Sequence, residues 1–281
     1  MIYLKAIDIK QEFFVAINKQ TENEKKTYNL DVDIDLSKKN EIEIIKPFTK
    51  IDTVTVNKVF YPDYVKFSYS NITDDDFKII LSRIKDRKDW NRAFSNCSKL
   101  LQLINYKTPY FIQLQGEDFG NCFNACTRLT AAQITFTGAI YTSKMFFGCT
   151  NLQGLELRNC GTITDMGSLA EGCTRLQHIS IDDCSGLTVR SEGMLSKCSS
   201  LEWIFGFKNY GSDLIQQPIR FNLSAARNLD ISLFKRFLEN IADCNNISYQ
   251  RTIRLNRNVY AQLTDEIKEL AASKGWSLQN G

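Results

Sequence analysis

The chain has 281 residues, 43% of them hydrophobic, which is enough for two modest domains or for one domain with caps. Its formal net charge of +3 argues against a nucleic-acid partner, because Lys and Arg are scattered among nearly as many Asp and Glu. No apolar run approaches the roughly 18 residues of a membrane-spanning helix, so we expect no membrane insertion.

Residues 1–72 have the pattern of a small β domain with five or six strands. Apolar and polar residues alternate along 30–36, and the β pattern continues at 12–17, 41–45, 53–56 and 64–69. The first eight residues also alternate and contain no long apolar segment, so we expect no secretory signal peptide.

Residues 73–89 predict a helix that connects this domain to the rest of the chain. The hydroxyl of Thr73 can cap the first turn, and the three acidic residues 74–76 lie where the helix dipole favours carboxylates. The predicted apolar face consists of Phe77, Ile80, Leu81 and Ile84.

Residues 90–229 are dominated by a fragment that occurs five times: Cys, then Ser or Thr, then any residue, then Leu. Its cysteines are Cys97, Cys126, Cys149, Cys173 and Cys198. The steps between them are 29, 23, 24 and 25 residues, which is the range of stacked repeat proteins. A degenerate sixth copy begins at Ala226.

The residues after each fragment extend the repeat. Leu152, Leu155, Leu157 and Cys160 follow the pattern L-x-x-L-x-L-x-x-C, and the same spacing returns from Leu176. This is the leucine-rich-repeat signature, in which a short strand directs alternate side chains into the core. Residues 90–229 are therefore predicted to form a leucine-rich-repeat solenoid, with a helical turn before each Cys.

The cysteines are interpreted as packing residues. There are nine, an odd number, and seven of them occupy fixed repeat positions, so we expect buried free thiols. Cys122 and Cys126 are four residues apart, but no second pair with zinc-ligand spacing lies nearby. We expect neither a metal nor a cofactor.

Residues 230–281 predict a C-terminal α/β cap, since an open end of a repeat array would expose its core. Asp230 and Thr264 can each cap a helix, and strands are predicted at 252–255 and 276–278. Arg251, Arg254 and Arg257 are interpreted as a solvated strand edge. The predicted fold class is thus α+β: a small β domain, a leucine-rich-repeat solenoid and an α/β cap.

Catalytic residues are not indicated. His178 is the single histidine, no nucleophile motif accompanies it, and glycine-rich phosphate loops are absent. The candidate site is instead a binding face formed by outward residues of the repeat strands, at five, seven and nine residues after each Cys. Its members are Gln133, Thr135, Glu156, Arg158, His178, Ser180, Asp182, Trp203, Phe205 and Phe207. The three aromatic residues could instead be covered by the cap.

The segments 145–152 and 169–176 resemble the MFxGCxxL repeats of the BspA-like leucine-rich-repeat family, and the run 263–278 is similar to the ends of repeat proteins from gut Bacteroides and their phages. The resemblance covers the repeats and the cap but not residues 1–72. It implies surface adhesion in bacteria, or virion appendages such as tail or collar proteins in phages.

Three functional hypotheses follow. The first is a non-enzymatic phage virion protein, assembled in the host cytoplasm, which docks to other virion proteins through residues 1–72 as part of an oligomer. Its repeat face would bind a host surface protein or glycan, or a neighbouring virion protein. The second is a bacterial surface adhesin or an intracellular scaffold. The third is a glycan-cleaving phage enzyme with Glu156 and Asp182 as its carboxylate pair.

Overall fold

The computed structural model describes residues 73–83, 87–104, 111–189, 191 and 193–281, and before residue 73 the backbone of six strands. The protein is mixed α/β with parallel sheets. No helix among the described residues is long and apolar enough to cross a membrane.

The strands before residue 73 are β1 (Ile2–Asp8), β2 (Gln11–Ile17), β3 (Tyr28–Asn29), β4 (Glu41–Ile44), β5 (Val54–Thr55) and β6 (Val65–Lys66). Strand β1 is antiparallel to β2 and β4, β4 is parallel to β6, and β3 pairs with β5. Five of these strands, all except β3, overlap segments predicted to have a β pattern, whereas the strand predicted at 30–36 lies outside the described residues.

The predicted connecting helix is present as α1 (Asp74–Arg83) and packs on the first repeats, but it is shorter than the predicted range 73–89, because residues 87–89 are not helical. Phe77 is buried, with its ring centroid 4.8 Å from that of Phe94 and 5.7 Å from that of Phe123. The Asp74 carboxylate accepts hydrogen bonds from the backbone N–H groups of Leu101, at 2.7 Å, and Gln102, at 3.1 Å. Helix α1 is therefore joined to the repeats by both apolar and polar contacts.

The repeats, numbered 1 to 5 by their cysteines in chain order, contribute strands to one parallel sheet. The strands are β7 (Gln102–Leu103), β8 (Ile112–Gln115), β9 (Ala131–Thr137), β10 (Gly154–Arg158), β11 (His178–Asp183) and β12 (Trp203–Lys208). Their order is β12-β11-β10-β9-β7, and β8 also pairs with β9. Because β9 to β12 each begin five residues after the repeat Cys, the repeat spacing sets the register.

The inward positions of these strands form the core, as their alternation predicts. The leucine of every fragment and the two apolar residues that follow it in repeats 2 to 4 are buried. Leu152, Leu155 and Leu157 in repeat 3, for example, are at most 1% exposed. Assignment of the array to the leucine-rich-repeat class remains a prediction.

A second set of backbone hydrogen bonds between repeats, besides those of the sheet, joins the turn segments that precede each Cys. In repeat 3, the N–H groups of Lys144, Phe146 and Gly148 donate to carbonyls of repeat 4, each at 2.8 Å. Repeat 2 bonds to repeat 3 in the same way through residues 121, 123 and 125. The strands of the repeats are hydrogen-bonded to each other in the parallel sheet as well. The backbone polar groups of each repeat are therefore satisfied largely by its neighbours.

The repeat cysteines are buried free thiols, and they also act as hydrogen-bond donors. Each Sγ of repeats 2 to 5 donates to the carbonyl of the residue three places before the preceding repeat Cys. These bonds run from Cys126 to Phe94, Cys149 to Phe123 and Cys173 to Phe146, each at 3.1 Å, and from Cys198 to Ala170, at 3.2 Å. Side-chain bonds therefore link consecutive repeats inside the core.

Two positions in each turn segment have left-handed backbone, one and five residues before the Cys. The first set is Asn96, Ala125, Gly148, Gly172 and Lys197, and the second is Arg92, Asn121, Lys144, Ser168 and Gly193. Asn and Gly tolerate this conformation best, whereas Ala125, at φ 56°, carries a steric cost. The turn geometry is thus the same in every repeat although the residue types vary.

The C-terminal part contains β13 (Ile219–Leu223), α2 (Ile231–Asn240), β14 (Arg251–Leu255), α3 (Arg257–Tyr260), α4 (Asp265–Ser273) and β15 (Trp276–Asn280). The three strands form a parallel sheet in the order β13-β14-β15. As predicted, Asp230 caps α2 by accepting from Leu233 N, and Thr264 caps α4 by accepting from Ile267 N.

Helix α2 occupies the place in the sixth copy that a strand holds in the other repeats. The N–H of Asp230 donates to the carbonyl of Glu202, as the N–H of Glu202 donates to that of Gln177. From this position α2 directs Phe237 toward Phe207 of β12, with ring centroids 5.5 Å apart. The helix therefore covers the last repeat, which is the role predicted for a cap.

Arg251 is not part of a solvated strand edge, which corrects the interpretation of the three arginines. It is 1% exposed, and its guanidinium donates to backbone carbonyls of Gly211 at 3.0 Å, Gln217 at 2.7 Å and Ile215 at 2.7 Å. Arg254 and Arg257 are exposed, as expected. Alternation along β14 did not reveal the burial of Arg251, because the chain before β14 folds over it.

Candidate functional site

The candidate site is the strand face, defined as the outward side chains of β9 to β12. Parallel register places them in two rows that cross the strands. One row consists of Ala131, Gly154, His178 and Trp203, and the other of Gln133, Glu156, Ser180 and Phe205. Thr135 and Arg158 begin a third row. Nine of the ten predicted residues lie on this face.

The exception is Phe207, whose assignment to the face is wrong. Its side chain is 0% exposed and packs against the rings of Tyr210, Phe221 and Phe237. Gly206 at φ 72° and Phe207 at φ 57° interrupt the alternation of β12 and turn the ring inward. A Cβ at Gly206 would overlap the carbonyl oxygen of Ile181, so this crossover requires glycine.

The other two aromatic residues of repeat 5 are not covered in the same way. Phe205 is half-buried, and Trp203 is 46% exposed. The ring centroids of Trp203 and His178 lie 6.2 Å apart with 37° between the planes. The imidazole lies across Gly154, where a Cβ would overlap it. The His178 ring therefore covers Gly154, and the small residue Ala131 is next in the same row.

The second row of the face is mainly polar. The Gln133 side-chain amide donates to a Glu156 carboxylate oxygen at 3.0 Å, and Ser180 is next in register. At the end of β10, the Arg158 guanidinium carbon lies 3.8 Å from the centroid of the Phe111 ring, in a cation–π contact. These contacts hold long side chains in defined positions, which lowers the entropy lost when a ligand binds.

Asp182 has a structural role within the face. Its carboxylate accepts hydrogen bonds from the backbone N–H groups of Asn159 at 2.7 Å, Cys160 at 3.1 Å and Asp183 at 2.7 Å. These bonds fix the turn after β10, where Asn159 has a left-handed φ of 58°. Asp182 therefore lies at the edge of the strand face with much of its acceptor capacity used.

Some residues of the face were missed by sequence reasoning. Strand β8 adds Gln113 and Gln115, both exposed, beside Thr135 and Thr137 of β9. Phe111, which supports Arg158, immediately precedes this strand. No Cys-Ser/Thr-x-Leu fragment introduces β8, which lies inside the 29-residue first interval. The greater length of that interval, compared with 23 to 25 residues for the others, was the feature of the sequence that could have indicated an additional strand.

The thiols are not placed for chemistry at this face. Burial raises the pKa of Cys173 to about 12, and it raises the pKa values of Cys122, Cys149 and Cys184 as well. The thiolate is the reactive and metal-binding form, so these groups are inert at neutral pH. Among the described residues, no group of three or more His, Cys, Asp or Glu side chains is arranged to hold a metal ion.

Comparisons of the chain with protein-family models, with curated proteins and with solved structures found no match.

Proposed function

We propose that this chain is a non-enzymatic binding protein of a phage virion, in which a leucine-rich-repeat solenoid presents the strand face to the host surface or to a neighbouring virion protein. The observation that carries the proposal is the strand face itself: four in-register strands with Trp203 exposed and His178 half-buried beside a polar row. The assignment to a virion depends on the BspA-like resemblance of the repeats and the cap.

The strand face has properties that suit recognition. Its backbone is held on both sides by neighbouring repeats, so the side chains project from a preorganised surface. Tryptophan is enriched among residues that dominate binding energy, because a large ring buries much area for little lost entropy. Trp203 is therefore the side chain expected to contribute most.

The non-enzymatic part of the proposal is supported by the state of the two candidate acids. The Asp182 carboxylate is engaged by three backbone N–H groups, and Glu156 accepts from Gln133. A glycosidase needs one carboxyl group that can donate a proton and a second that acts on the sugar or water. Glu156 and Asp182 instead support the surface around them.

The virion assignment is tested by mass spectrometry of purified particles. The chain should be present at a constant ratio to the major capsid protein after density-gradient purification. Its absence from particles would contradict the assignment. Detection on intact bacteria that carry no phage genes near the coding sequence would favour the adhesin alternative.

The binding role of the strand face is tested by substitution of Trp203. We expect Trp203→Ala to weaken binding of the purified chain to its receptor cells by about tenfold or more, in line with interface tryptophans. Tyr249→Ala is the matched control, since Tyr249 is similarly exposed, at 42%, but lies outside the face. Equal binding by the two variants would exclude Trp203 as the main contact.

A further inference from the structure

A second surface lies where the chain of each repeat passes from the turn segment to the strand that follows it. The third residue of the Cys-Ser/Thr-x-Leu fragment is basic in three of the first four repeats, at Lys99, Arg128 and Arg175, and all three side chains are exposed. We call these three residues the basic edge. The sequence shows scattered charges, whereas the stacking of repeats brings these three into one column.

The groups that contact the basic edge among the described residues are uncharged. Within the part of the chain that the structure describes, none of the three forms an ion pair. Arg175 donates instead to the side-chain oxygen of Asn151, the neutral residue at the same position in repeat 3, at 2.8 Å. Asn151 donates in turn to the Thr127 carbonyl at 2.6 Å, so the column is linked through uncharged groups.

Acidic residues are missing from the sequence around this column. The segments 96–101, 125–130, 148–153 and 172–177 contain no Asp or Glu. Asp74 approaches repeat 1, where its carboxylate accepts from two N–H groups, and Glu202 follows in repeat 5. Lys197 of repeat 5 is unlike the basic edge, because it pairs with Glu171 at 2.8 Å and thereby lowers the pKa of that carboxyl.

The spacing of the column suggests a repeating ligand. Neighbouring parallel strands lie about 4.8 Å apart, so Lys99 and Arg128 are separated by one such step and Arg128 and Arg175 by two, about 10 Å. A hexopyranose unit in an extended chain advances by a similar distance to one step. An acid group on every sugar would therefore match both intervals, because the sugar between Arg128 and Arg175 would lie opposite Asn151.

The groups beside the column are also suited to sugars. The residue after each repeat Cys is Ser or Thr, and Thr127, Thr150 and Thr174 are exposed. The four segments contain no aromatic residue on which a nucleobase could stack.

We propose that the basic edge binds a linear anionic polysaccharide with an acid group on every sugar. Lys99 and Arg128 contact the acid groups of neighbouring sugars, and Arg175 contacts the acid group two sugars beyond that of Arg128. This surface is separate from the strand face, so the inference holds or fails independently of the proposed function. The binding is electrostatic and weakens with salt.

The test uses the purified full chain and immobilised alginate, a linear polyuronate, at about 50 mM salt, where screening is moderate. We expect wild-type protein to be retained on alginate but not on neutral dextran. The variant K99Q/R128Q/R175Q should bind alginate about tenfold more weakly, since each exposed charge pair contributes little alone. Circular dichroism should show that the variant is folded, because all three side chains are exposed.

The matched control is K208Q/R220Q/R254Q, which removes three exposed cations elsewhere and changes the net charge equally. It should bind alginate like the wild type, as should Trp203→Ala. Equal losses in the two triple variants, or no retention of the wild type, would overturn the proposal. Equal or tighter binding of single-stranded DNA would overturn the assignment to a polysaccharide.

Discussion

At the scale of the residue, the repeat cysteine combines two properties that its position requires. It is fully buried next to apolar neighbours, and it donates a hydrogen bond to the preceding repeat. Alanine would leave the Phe146 carbonyl without this donor, and a larger apolar residue would overfill the site. The recurrence of Cys is therefore explained by small size and a weak donor rather than by redox or metal chemistry.

Burial of the thiols predicts a loss of stability in alkali. The pKa of Cys173 is raised from an ordinary value of 9.0 to about 12, so above pH 9 the unfolded chain loses a proton that the folded chain keeps. The free energy of unfolding should fall by about 1.4 kcal/mol per pH unit for each such thiol between these values. The stability is complete below pH 9 and decreases as the pH rises toward 12.

Urea unfolding at several pH values checks this prediction, with Cys173→Ala as the comparison. The variant is expected to be less stable at pH 7 but to lose less stability between about pH 9 and 10.5, because it has one fewer buried thiol. Parallel pH dependences for the two proteins would show that Cys173 does not contribute.

At the scale of the element, every turn segment contains left-handed backbone at the residue before the Cys. Gly148, at φ 70°, has no atom within 4 Å of the place where a Cβ would be, so a substitution there tests conformation alone. Ala125 occupies the same position in repeat 2, at φ 56°. The two sites therefore form a matched pair.

Exchange of glycine and alanine at these sites should change stability in opposite directions. Gly148→Ala is expected to cost about 1 kcal/mol, since alanine disfavours positive φ. Ala125→Gly is expected to gain about 0.5 kcal/mol, because relief of strain exceeds the added entropy of the unfolded chain. Thermal or urea unfolding measures both, and effects of the same sign would contradict this account.

At the scale of the whole molecule, both ends of the repeat array are covered. Helix α1 packs Phe77 on the first repeats, and α2 packs Phe237 on Phe207 of the last. Arg251 then joins the cap sheet to residues 211–217, which follow repeat 5. A buried guanidinium is tolerated here because several backbone carbonyls accept hydrogen bonds from it.

Arg251 should therefore be one of the most sensitive positions in the chain. Arg251→Met removes the donors to the Ile215 and Gln217 carbonyls and one of the two donors to the Gly211 carbonyl, and is expected to destabilise the protein by about 3 kcal/mol or more. Arg254→Met on the same strand is the control and should change stability by no more than about 0.5 kcal/mol, since Arg254 is exposed. Similar losses for both variants would argue against the role of Arg251.

Much of this arrangement could be predicted because it depends on residues close in sequence. The interval from Cys149 to Gly154 predicts where a strand begins, and alternation predicts that Leu155 and Leu157 are buried. Phe207 could not be placed by alternation, because its orientation depends on contact between Gly206 and the neighbouring repeat. Burial of Arg251 likewise depends on a distant chain segment. The strand predicted at 30–36 lies outside the described residues.

The thiol-to-carbonyl bonds have a consequence for how such a chain can change in length. The bond from Cys149 to repeat 2 has the same donor, acceptor position and distance as the bond from Cys173 to repeat 3. A duplicated 24-residue segment between these cysteines would meet a backbone carbonyl at the same repeat position on each side. Copy number can thus vary without redesign of either end, and each added copy would extend the molecule's reach by about 4.8 Å.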